Sequence, residues 1–244
     1  MKPFLILQAR PETDASDQEF AAILDKCQLP PERVDRIRLD RDDLPGTLDL
    51  ARYAGTLIGG GPGCVSDPAQ GKDPVEARIE AQVMGLMPQI VARDHPFMGC
   101  CYGLGVLVHH LGGVVDKSRY SEPVGPSLCA LTEAGQTDPL TQGLDPEFEA
   151  FVGHKEAVQI LPESCVHLIR SEACPVQMVR YGRNIYATQF HPEADARDFE
   201  NRINIYKNHG YFPPEAADAL IEKCHDAEVT QPAEILRRFA ARYG

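Results

Sequence analysis

Gly99-Cys100-Cys101-Tyr102-Gly103 is the stretch of sequence from which the fold can be worked out. Its first two residues end the apolar run 97–100, which is predicted to be a short buried strand. It precedes the apolar segment 104–111, which is predicted to be a helix ended by Gly112-Gly113. Glycine-x-cysteine-x-glycine between a strand and a helix is typical of a nucleophile elbow with cysteine in place of serine.

Cys101 is the predicted nucleophile of this turn, and Cys100 is its competitor. Only Cys101 has a glycine two positions away on both sides. Cys100 is expected to point into the sheet, because side chains alternate along a strand. A thiol at the start of a helix is expected to have a lowered pKa, because the helix dipole favours the thiolate. A cysteine that is simply buried in the core is the other interpretation of the same motif.

Strands and helices alternate before this turn, and strands dominate after it. Strands are predicted at residues 4–7, 34–39, 56–58, 128–132, 148–152, 166–170, 176–180 and 184–190. Helices are predicted at residues 17–26, 74–85, 198–207, 214–225 and 232–243. This order predicts an α/β fold with an open, mainly parallel central sheet flanked by helices, with antiparallel additions and a C-terminal helical extension.

The length and composition suit one large domain with an appendage. The chain has 244 residues, of which 43% are hydrophobic, enough for a substantial core. We predict a domain over residues 1–197 and a helical extension over residues 198–244 that packs on it. No internal repeat interrupts this organisation.

Charge and cysteine usage exclude several classes of protein. The formal net charge is -12, so we expect no nucleic-acid partner, because binding phosphates requires a basic surface. No apolar stretch is long enough to cross a membrane, and the N-terminus has no signal-peptide cleavage pattern. The eight cysteines have no regular spacing, so neither a zinc site nor a disulfide framework is expected. We therefore predict a cytoplasmic protein without metal or cofactor.

A histidine and a glutamate follow the predicted strand 184–190. His191 and Glu193 are two residues apart and would face the same side in extended backbone. A cysteine nucleophile needs a base, and the base needs an orienting group, so this pair supplies both. Sites of open α/β sheets gather at the carboxyl ends of strands, where the elbow also lies. A strand-end histidine beside a solvated glutamate is the alternative interpretation.

The glycine-rich loop Gly59 to Gly63 also follows a predicted strand. Its backbone N–H groups, together with that of Tyr102, are candidates for an oxyanion hole. The loop lacks the Gly-Lys-Ser/Thr of a phosphate-binding loop and does not match the dinucleotide pattern. A plain tight turn is the remaining alternative.

As an ordered set, these features resemble the glutaminase domain of class I (triad-type) glutamine amidotransferases, most closely the GMP synthase-like, stand-alone type. The matching segments are Gly60-Gly61-Pro62, Gly99 to Gly103 and Thr188-Gln189-Phe190-His191-Pro192-Glu193. The run Gly153-His154-Lys155-Glu156-Ala157-Val158, followed by Leu161-Pro162, is similar to the family's His-x-Asp-x-Val-x-x-Leu-Pro segment. The resemblance covers about residues 56–193 and implies a flavodoxin-like fold.

The resemblance also implies a mechanism. Cys101 would attack the side-chain amide carbon of glutamine, while the N–H groups of Gly61 and Tyr102 hold the oxyanion. His191, oriented by Glu193, would protonate the departing ammonia and then activate water to hydrolyse the glutamyl thioester. The ammonia would pass to a separate acceptor or synthetase. The positions expected to bind substrate are Gly60, Gly63, Gly105 and His154.

One departure from the family pattern keeps the substrate open. The family's Cys-Tyr-Gly-His-Gln reads Cys101-Tyr102-Gly103-Leu104-Gly105 in this chain. The glutamine side chain that contacts the substrate in the family is therefore missing, and Gly105 is expected to leave room there. A γ-glutamyl peptidase or hydrolase with the same triad is the first alternative to a glutaminase, and a non-catalytic regulatory subunit is the second.

Overall fold

The computed structural model describes residues 1–46, 48–208 and 212–244. The strands of this part are β1 (Phe4–Gln8), β2 (Val34–Arg38), β3 (Thr56–Ile58), β4 (Phe97–Cys100), β5 (Val114–Asp116), β6 (Glu122–Leu131), β7 (Glu147–His154), β8 (Ala157–Ile160), β9 (Cys165–Ser171), β10 (Met178–Tyr181) and β11 (Ile185–Thr188). Its α-helices are α1 (Thr13–Cys27), α2 (Pro74–Arg93), α3 (Tyr102–His110), α4 (Glu133–Thr137), α5 (Ala196–Tyr206), α6 (Ala217–Asp226) and α7 (Gln231–Tyr243).

The main sheet of the described chain has the strand order β2-β1-β3-β4-β11-β10-β9-β6-β7. The pairs from β2 to β11 are parallel, and the pairs from β11 to β7 are antiparallel. β4 and β11 are adjacent and parallel, so the carboxyl ends that carry Cys101 and His191 lie at the same edge. The predicted α/β fold with a mainly parallel centre and antiparallel additions is confirmed.

β1 shows why this sheet has cores on both faces. All five of its residues are buried, as expected for a parallel strand covered on both sides. Phe4 and Ile6 pack with α1 and α7, whereas Leu5 and Leu7 pack with α2 and α3. Each large apolar side chain buried in this way stabilises the fold by roughly 1.5–3 kcal/mol.

Several elements differ from the sequence prediction, including α2, the strands β5 and β8, and the short helix α4, which was not predicted. α2 continues past residue 85 to Arg93, because Leu86, Met87 and Ile90 extend its buried stripe beyond the predicted end. Its start is as predicted, with Asp73 capping the first turn and Pro74 in first position. The two-stranded sheet of β5 and β8 was not predicted. No helix in the described ranges combines the length and apolar character that crossing a bilayer requires.

The C-terminal helices pack against the sheet and its neighbouring helix α1. The Phe239 ring of α7 lies 6.2 Å from that of Phe4 in β1, and the Phe199 ring of α5 stacks on Phe151 of β7 at 4.6 Å. The division into a domain 1–197 and an extension 198–244 stays a prediction. Residues 209–211 of that extension lie outside the described residues.

Candidate active site

Cys101 occupies a strained turn between β4 and α3. Its backbone has φ 52° and ψ -92°, a left-handed conformation that a residue other than glycine rarely adopts. A Cβ on Gly99 would lie 2.8 Å from the backbone carbon of Gly103, so the turn is closed by direct glycine-to-glycine contact. The N–H of Cys101 donates to the carbonyl of Thr188 at 2.7 Å, which ties the turn to β11.

The two neighbouring cysteines have different surroundings. Cys100 is 2% exposed and packs in the core with Phe4 and Ile6. Burial raises the pKa of its thiol well above the ordinary range. Cys101 is only partly buried and lines two cavities. Of the two, Cys101 is thus the thiol that a substrate can reach.

His191 and Glu193 form a close pair directly after β11. The His191 Nδ1 lies 2.8 Å from Glu193 Oε1, and Arg202 Nη2 of α5 donates to the same oxygen at 2.8 Å. Burial alone would raise the pKa of Glu193, but the charges of His191 and Arg202 outweigh burial and hold this pKa far below its usual range. Glu193 is therefore a buried carboxylate that fixes the histidine ring.

The hydrogen bond to Glu193 decides which nitrogen of His191 can act as a base. A carboxylate only accepts, so Nδ1 carries a proton and Nε2 is left as the basic nitrogen. Burial lowers the pKa of His191 below its ordinary value despite the nearby Glu193, so the ring is neutral around pH 7. His191 and Cys101 line the same cavity. Within the described part of the chain, the Cys101 thiol and His191 are not joined by a hydrogen bond.

The pKa of the Cys101 thiol differs from the expectation based on the helix dipole. Burial raises this pKa to about 12, and the guanidinium of Arg10 only partly opposes the increase. The resting site therefore contains a neutral thiol and a neutral imidazole. If Cys101 is a nucleophile, as predicted, its proton would have to move to His191 during attack.

The predicted oxyanion-hole residues lie beside Cys101. Tyr102 begins α3, and N–H groups in a first helical turn have no intrahelical acceptor. Gly61 lines both cavities next to the cysteine. A Cβ on Gly61 would meet the carbonyl oxygen of Ala9 at 3.0 Å, so the loop approaches β1 closely. Both residues thus lie next to Cys101, and their role as an oxyanion hole stays a prediction.

Arg10 and Glu19 are site residues that the sequence analysis missed. Arg10 is 6% exposed, and its Nε donates to Glu19 Oε1 at 2.8 Å. The N–H of Gly60 donates to the same oxygen at 3.1 Å. A Cβ on Gly60 would lie 2.7 Å from both Arg10 Nη2 and His191 Cε1. The missing side chain of Gly60 thus allows the guanidinium and the imidazole to approach one another.

One cavity beside Cys101, which we call the Glu156 cavity, has a volume of 420 Å³. It contains three of the four predicted substrate-binding residues, namely Gly63, Gly105 and His154. The fourth, Gly60, lies between Arg10 and His191 instead. Most of the residues predicted to bind substrate therefore line the same cavity.

Gly105 does not leave open room, contrary to expectation. A Cβ on Gly105 would lie 3.0 Å from Glu156 Oε1, so the carboxylate occupies the space beside it. Glu156 accepts from the N–H groups of Val65 and Ser66 at 2.9 and 3.0 Å and from the Ser66 hydroxyl at 2.7 Å. The carboxylate thus fixes the segment that follows the glycine-rich loop.

His154 is held in a buried polar network. Its Nδ1 contacts the Glu156 carbonyl and its Nε2 contacts Glu122 Oε2, both at 2.9 Å. The ligand atoms of Glu122, His154 and Cys174 lie within 4.8 Å of one another, close enough to suggest a metal site. Glu122 also accepts from Ser127 at 2.6 Å and the Cys174 thiol donates to a carbonyl, so hydrogen bonds account for this cluster. We assign no metal to it.

Gln189 is a further site residue that was quoted in a motif but given no role. Its Nε2 lies 3.8 Å from the Cys101 sulfur. Gln189 is 4% exposed and lines the Glu156 cavity. The Gln189 amide can therefore donate to the Cys101 sulfur.

The family model for glutamine amidotransferase class-I matches residues 21–209, more than half of the chain. The chain belongs to the class-I glutamine amidotransferases. Membership confirms the predicted enzyme family and the GMP synthase-like resemblance.

Curated relatives of this amidotransferase are named as glutamine-hydrolyzing GMP synthases. One from Thermosipho melanesiensis is 38% identical over 109 residues, which is 44% of this chain and 20% of the relative. The chain thus spans about a fifth of the length of that protein. A relative from Natronomonas pharaonis, named as one subunit of a glutamine-hydrolyzing GMP synthase, is 28% identical over 70% of this chain and 84% of its own length.

Solved structures support the fold of this amidotransferase. A glutamine amidotransferase from Thermotoga maritima has a TM-score of 0.77 at 19% identity and covers 100% of this chain and 98% of its own. A glutamine amidotransferase from Methylobacillus flagellatus has a TM-score of 0.75 at 23% identity, covering 100% of this chain and 94% of its own. At these identities the likeness concerns the fold alone.

Proposed function

We propose that this amidotransferase is a glutaminase that hydrolyses the side-chain amide of glutamine to glutamate and ammonia. The observation that carries the proposal is the placement of Cys101, on a strained elbow, in the same cavity as His191, whose Nδ1 lies 2.8 Å from Glu193 Oε1. A nucleophile, a base and an orienting carboxylate are the parts that acyl transfer through a thiol requires.

Each residue has a step in this mechanism. Nε2 of His191 takes the thiol proton as Cys101 Sγ attacks the amide carbon, and the N–H groups of Gly61 and Tyr102 stabilise the oxyanion. The carbon–nitrogen bond breaks, and His191 gives the proton to the leaving nitrogen, which departs as ammonia. His191 then takes a proton from water, which attacks the glutamyl thioester and releases glutamate and the thiol.

The two cavities beside Cys101 are proposed to bind different parts of the substrate. His191 must reach the leaving nitrogen, so the leaving group lies in the cavity that His191 lines. The glutamyl part then extends into the Glu156 cavity, which Tyr102, Gly105 and His154 line. Glu156 offers a carboxylate oxygen to an ammonium group there, which suits the α-amino group of a γ-glutamyl substrate.

The ammonia is proposed to pass to a separate acceptor or synthetase. Relatives that are named as one subunit of a glutamine-hydrolyzing GMP synthase support this proposal, since a subunit implies a partner. L-glutamine as substrate agrees with the same names. Within the described residues, no hydrogen bond joins the Cys101 thiol to the His191 imidazole. A partner that aligns these two groups would therefore raise the rate of glutamine hydrolysis.

Release of glutamate and ammonia from L-glutamine tests the proposal. The wild type is expected to release both in equal amounts, and Cys101→Ala is expected to release neither. Cys100→Ala is the matched control. The Cys100 side chain lies in the core, so this variant is expected to leave turnover intact. Turnover that survives in Cys101→Ala contradicts the mechanism, and a folded wild type without turnover, with or without partner, favours the regulatory subunit.

A further inference from the structure

We call the cavity beside Cys101 that His191 lines the His191 cavity. Its volume, including the part that is open to solvent, is about 470 Å³. In the proposed mechanism the leaving nitrogen enters this cavity, because His191 lines it. Since the cavity is open to solvent, a leaving group larger than ammonia can extend from it without meeting a closed wall.

Two buried arginines line the His191 cavity. Arg10 is 6% and Arg202 is 8% exposed. Nη1 of Arg202 is buried and has no hydrogen-bond partner within the described ranges. Nη2 of Arg10 lies 2.7 Å from the Cβ position of Gly60, beside the ring of His191. Both guanidinium groups therefore lie where a leaving group has to pass.

The existing partners of these arginines leave donors unused. Arg10 donates through Nε to Glu19 at 2.8 Å and more weakly through Nη1 to the Tyr206 hydroxyl at 3.5 Å. Arg202 donates through Nη2 to Glu193 at 2.8 Å. A guanidinium has five N–H donors in a planar fork, which matches the two oxygens of a carboxylate. A buried N–H without an acceptor costs free energy that an incoming carboxylate would recover.

The rest of the His191 cavity wall is mainly apolar. The side chains involved are those of Val124, Phe199, Ile203 and Phe212. A ligand that suits both parts of the wall combines a carboxylate with an apolar group. An amino acid with an apolar side chain has this chemistry, and its α-amino group is the nitrogen that a γ-glutamyl amide bond would contain.

We propose that the His191 cavity is a carboxylate-binding leaving-group subsite and that the enzyme cleaves γ-glutamyl amino acids with apolar side chains. This inference rests on the proposed function, since it uses the same nucleophile. Cys101 Sγ bonds to the side-chain carbonyl carbon of the γ-glutamyl group, and the bond from that carbon to the amino-acid nitrogen breaks. His191 transfers the thiol proton to that nitrogen, the free amino acid leaves, and water converts the thioester to glutamate.

Recognition of the leaving-group carboxylate can be tested with a substrate in which a neutral amide replaces it. We would measure kcat/KM for γ-glutamyl-valine, for γ-glutamyl-valinamide and for L-glutamine. The wild type is expected to prefer the acid over the amide by about tenfold, the size of one charge-assisted hydrogen bond. Arg10→Gln and Arg202→Gln are expected to bring the ratio of acid to amide close to one.

The ratio of kcat/KM for the acid to that for the amide reports binding of the carboxylate separately from the rate of the chemical step. Both variants also slow every substrate, because Arg10 acts on the Cys101 thiol and Arg202 holds Glu193, but these effects cancel between acid and amide. Lys155→Gln is the matched control, since it removes a cation from the Glu156 cavity, and it is expected to keep the ratio. Glutamine turnover without cleavage of the acid, or with equal rates for acid and amide, overturns the subsite and leaves the proposed function standing.

A second measurement decides the matter if neither glutamine nor the dipeptide is turned over. Cys101 is alkylated with anionic iodoacetate and with neutral iodoacetamide, and its peptide is quantified by mass spectrometry. The ratio of the two rates is expected to exceed that of free cysteine about tenfold and to fall in Arg10→Gln. A ratio equal to that of free cysteine overturns the subsite, whereas a raised ratio without any turnover supports it and contradicts the proposed function.

Discussion

Glu156 Oε1 lies 3.0 Å from the point at which a side chain on Gly105 would begin. The two positions therefore compete for one space at the wall of the Glu156 cavity. The same carboxylate binds the N–H groups of Val65 and Ser66, just after the glycine-rich loop. The glycine at position 105 and the glutamate at position 156 thus form a matched pair.

Gly105→Gln is expected to disrupt this pair. The new side chain would displace Glu156, and overpacking of this kind costs about 1–3 kcal/mol of unfolding free energy. We also expect a higher KM for glutamine, because the proposed mechanism places the α-amino group of the substrate beside this carboxylate. Urea unfolding and steady-state kinetics measure the two effects.

Two variants make the comparison specific. Gly85→Gln changes a helical glycine whose Cβ would meet nothing within 4 Å, so it is expected to stabilise the protein. Adding Glu156→Asp to Gly105→Gln shortens the competing side chain and is expected to restore part of the loss. A stable Gly105→Gln with unchanged KM would show that the two positions are independent.

Glu193→Gln is expected to lower kcat by about ten-thousandfold with little change in KM, as for other triads whose orienting carboxylate becomes an amide. The amide can donate to Nδ1 and favour the wrong tautomer of His191. It also leaves the buried charge of Arg202 without its partner, which costs about 3–5 kcal/mol of stability. Steady-state kinetics and chemical denaturation measure both effects.

Glu200→Gln is the control for the stability effect. It breaks an ion pair between Glu200 of α5 and His225 of α6, whose side chains are 40% and 48% exposed, so the stability is expected to change little. A Glu193→Gln variant that matches Glu200→Gln in both stability and kcat would rule out the orienting role.

The pH dependence of kcat/KM follows from the pKa of His191. His191 must be neutral to take the thiol proton, and burial lowers its pKa below the ordinary value. Activity is therefore expected to be full at neutral pH and to be lost only as pH falls through this lowered pKa. Because the pKa of Cys101 is raised to about 12, no second inflection from the thiol is expected around pH 8. An acid limb centred above about 6.5, the ordinary histidine value, would contradict this interpretation.

Gly99→Ala is expected to deform the elbow. Its Cβ would lie 2.8 Å from the backbone of Gly103, which cannot move aside as a flexible side chain can. We expect a loss of about 1–3 kcal/mol in unfolding free energy and a large loss of kcat. Gly46→Ala, whose Cβ meets nothing within 4 Å, serves as control. Unfolding and turnover equal to those of the control would disprove the close contact.

Local sequence patterns were sufficient to predict much of the fold. The elbow could be found because its glycine pattern is local: Gly99 is required by its contact with Gly103, although Gly103 is itself required by Ile58 of β3. The strands around it could be found because buried parallel strands are short apolar runs, as β1 and β4 are. The end of α2 was missed, because the predicted helix stopped at Gly85 whereas the buried stripe continues to Ile90.

The rest of the site depends on contacts that no local pattern contains. Arg10 meets Gly60 and His191 only because β1 and β3 are adjacent in the sheet. Arg202 reaches Glu193 from α5, and an arginine on an amphipathic helix gives no signal of its own. Glu156 was quoted as part of a family-like segment, but its place beside Gly105 follows from the packing of distant segments.

The thioester on Cys101 is the most direct test of the central claim. The wild type is mixed with L-glutamine, quenched in acid during turnover, digested and mapped by mass spectrometry. We predict a glutamyl adduct on the peptide that contains Cys101, present in wild type and in Cys100→Ala, absent in Cys101→Ala, and removed by hydroxylamine. Turnover without an adduct on Cys101, or an adduct that persists in Cys101→Ala, would contradict the account.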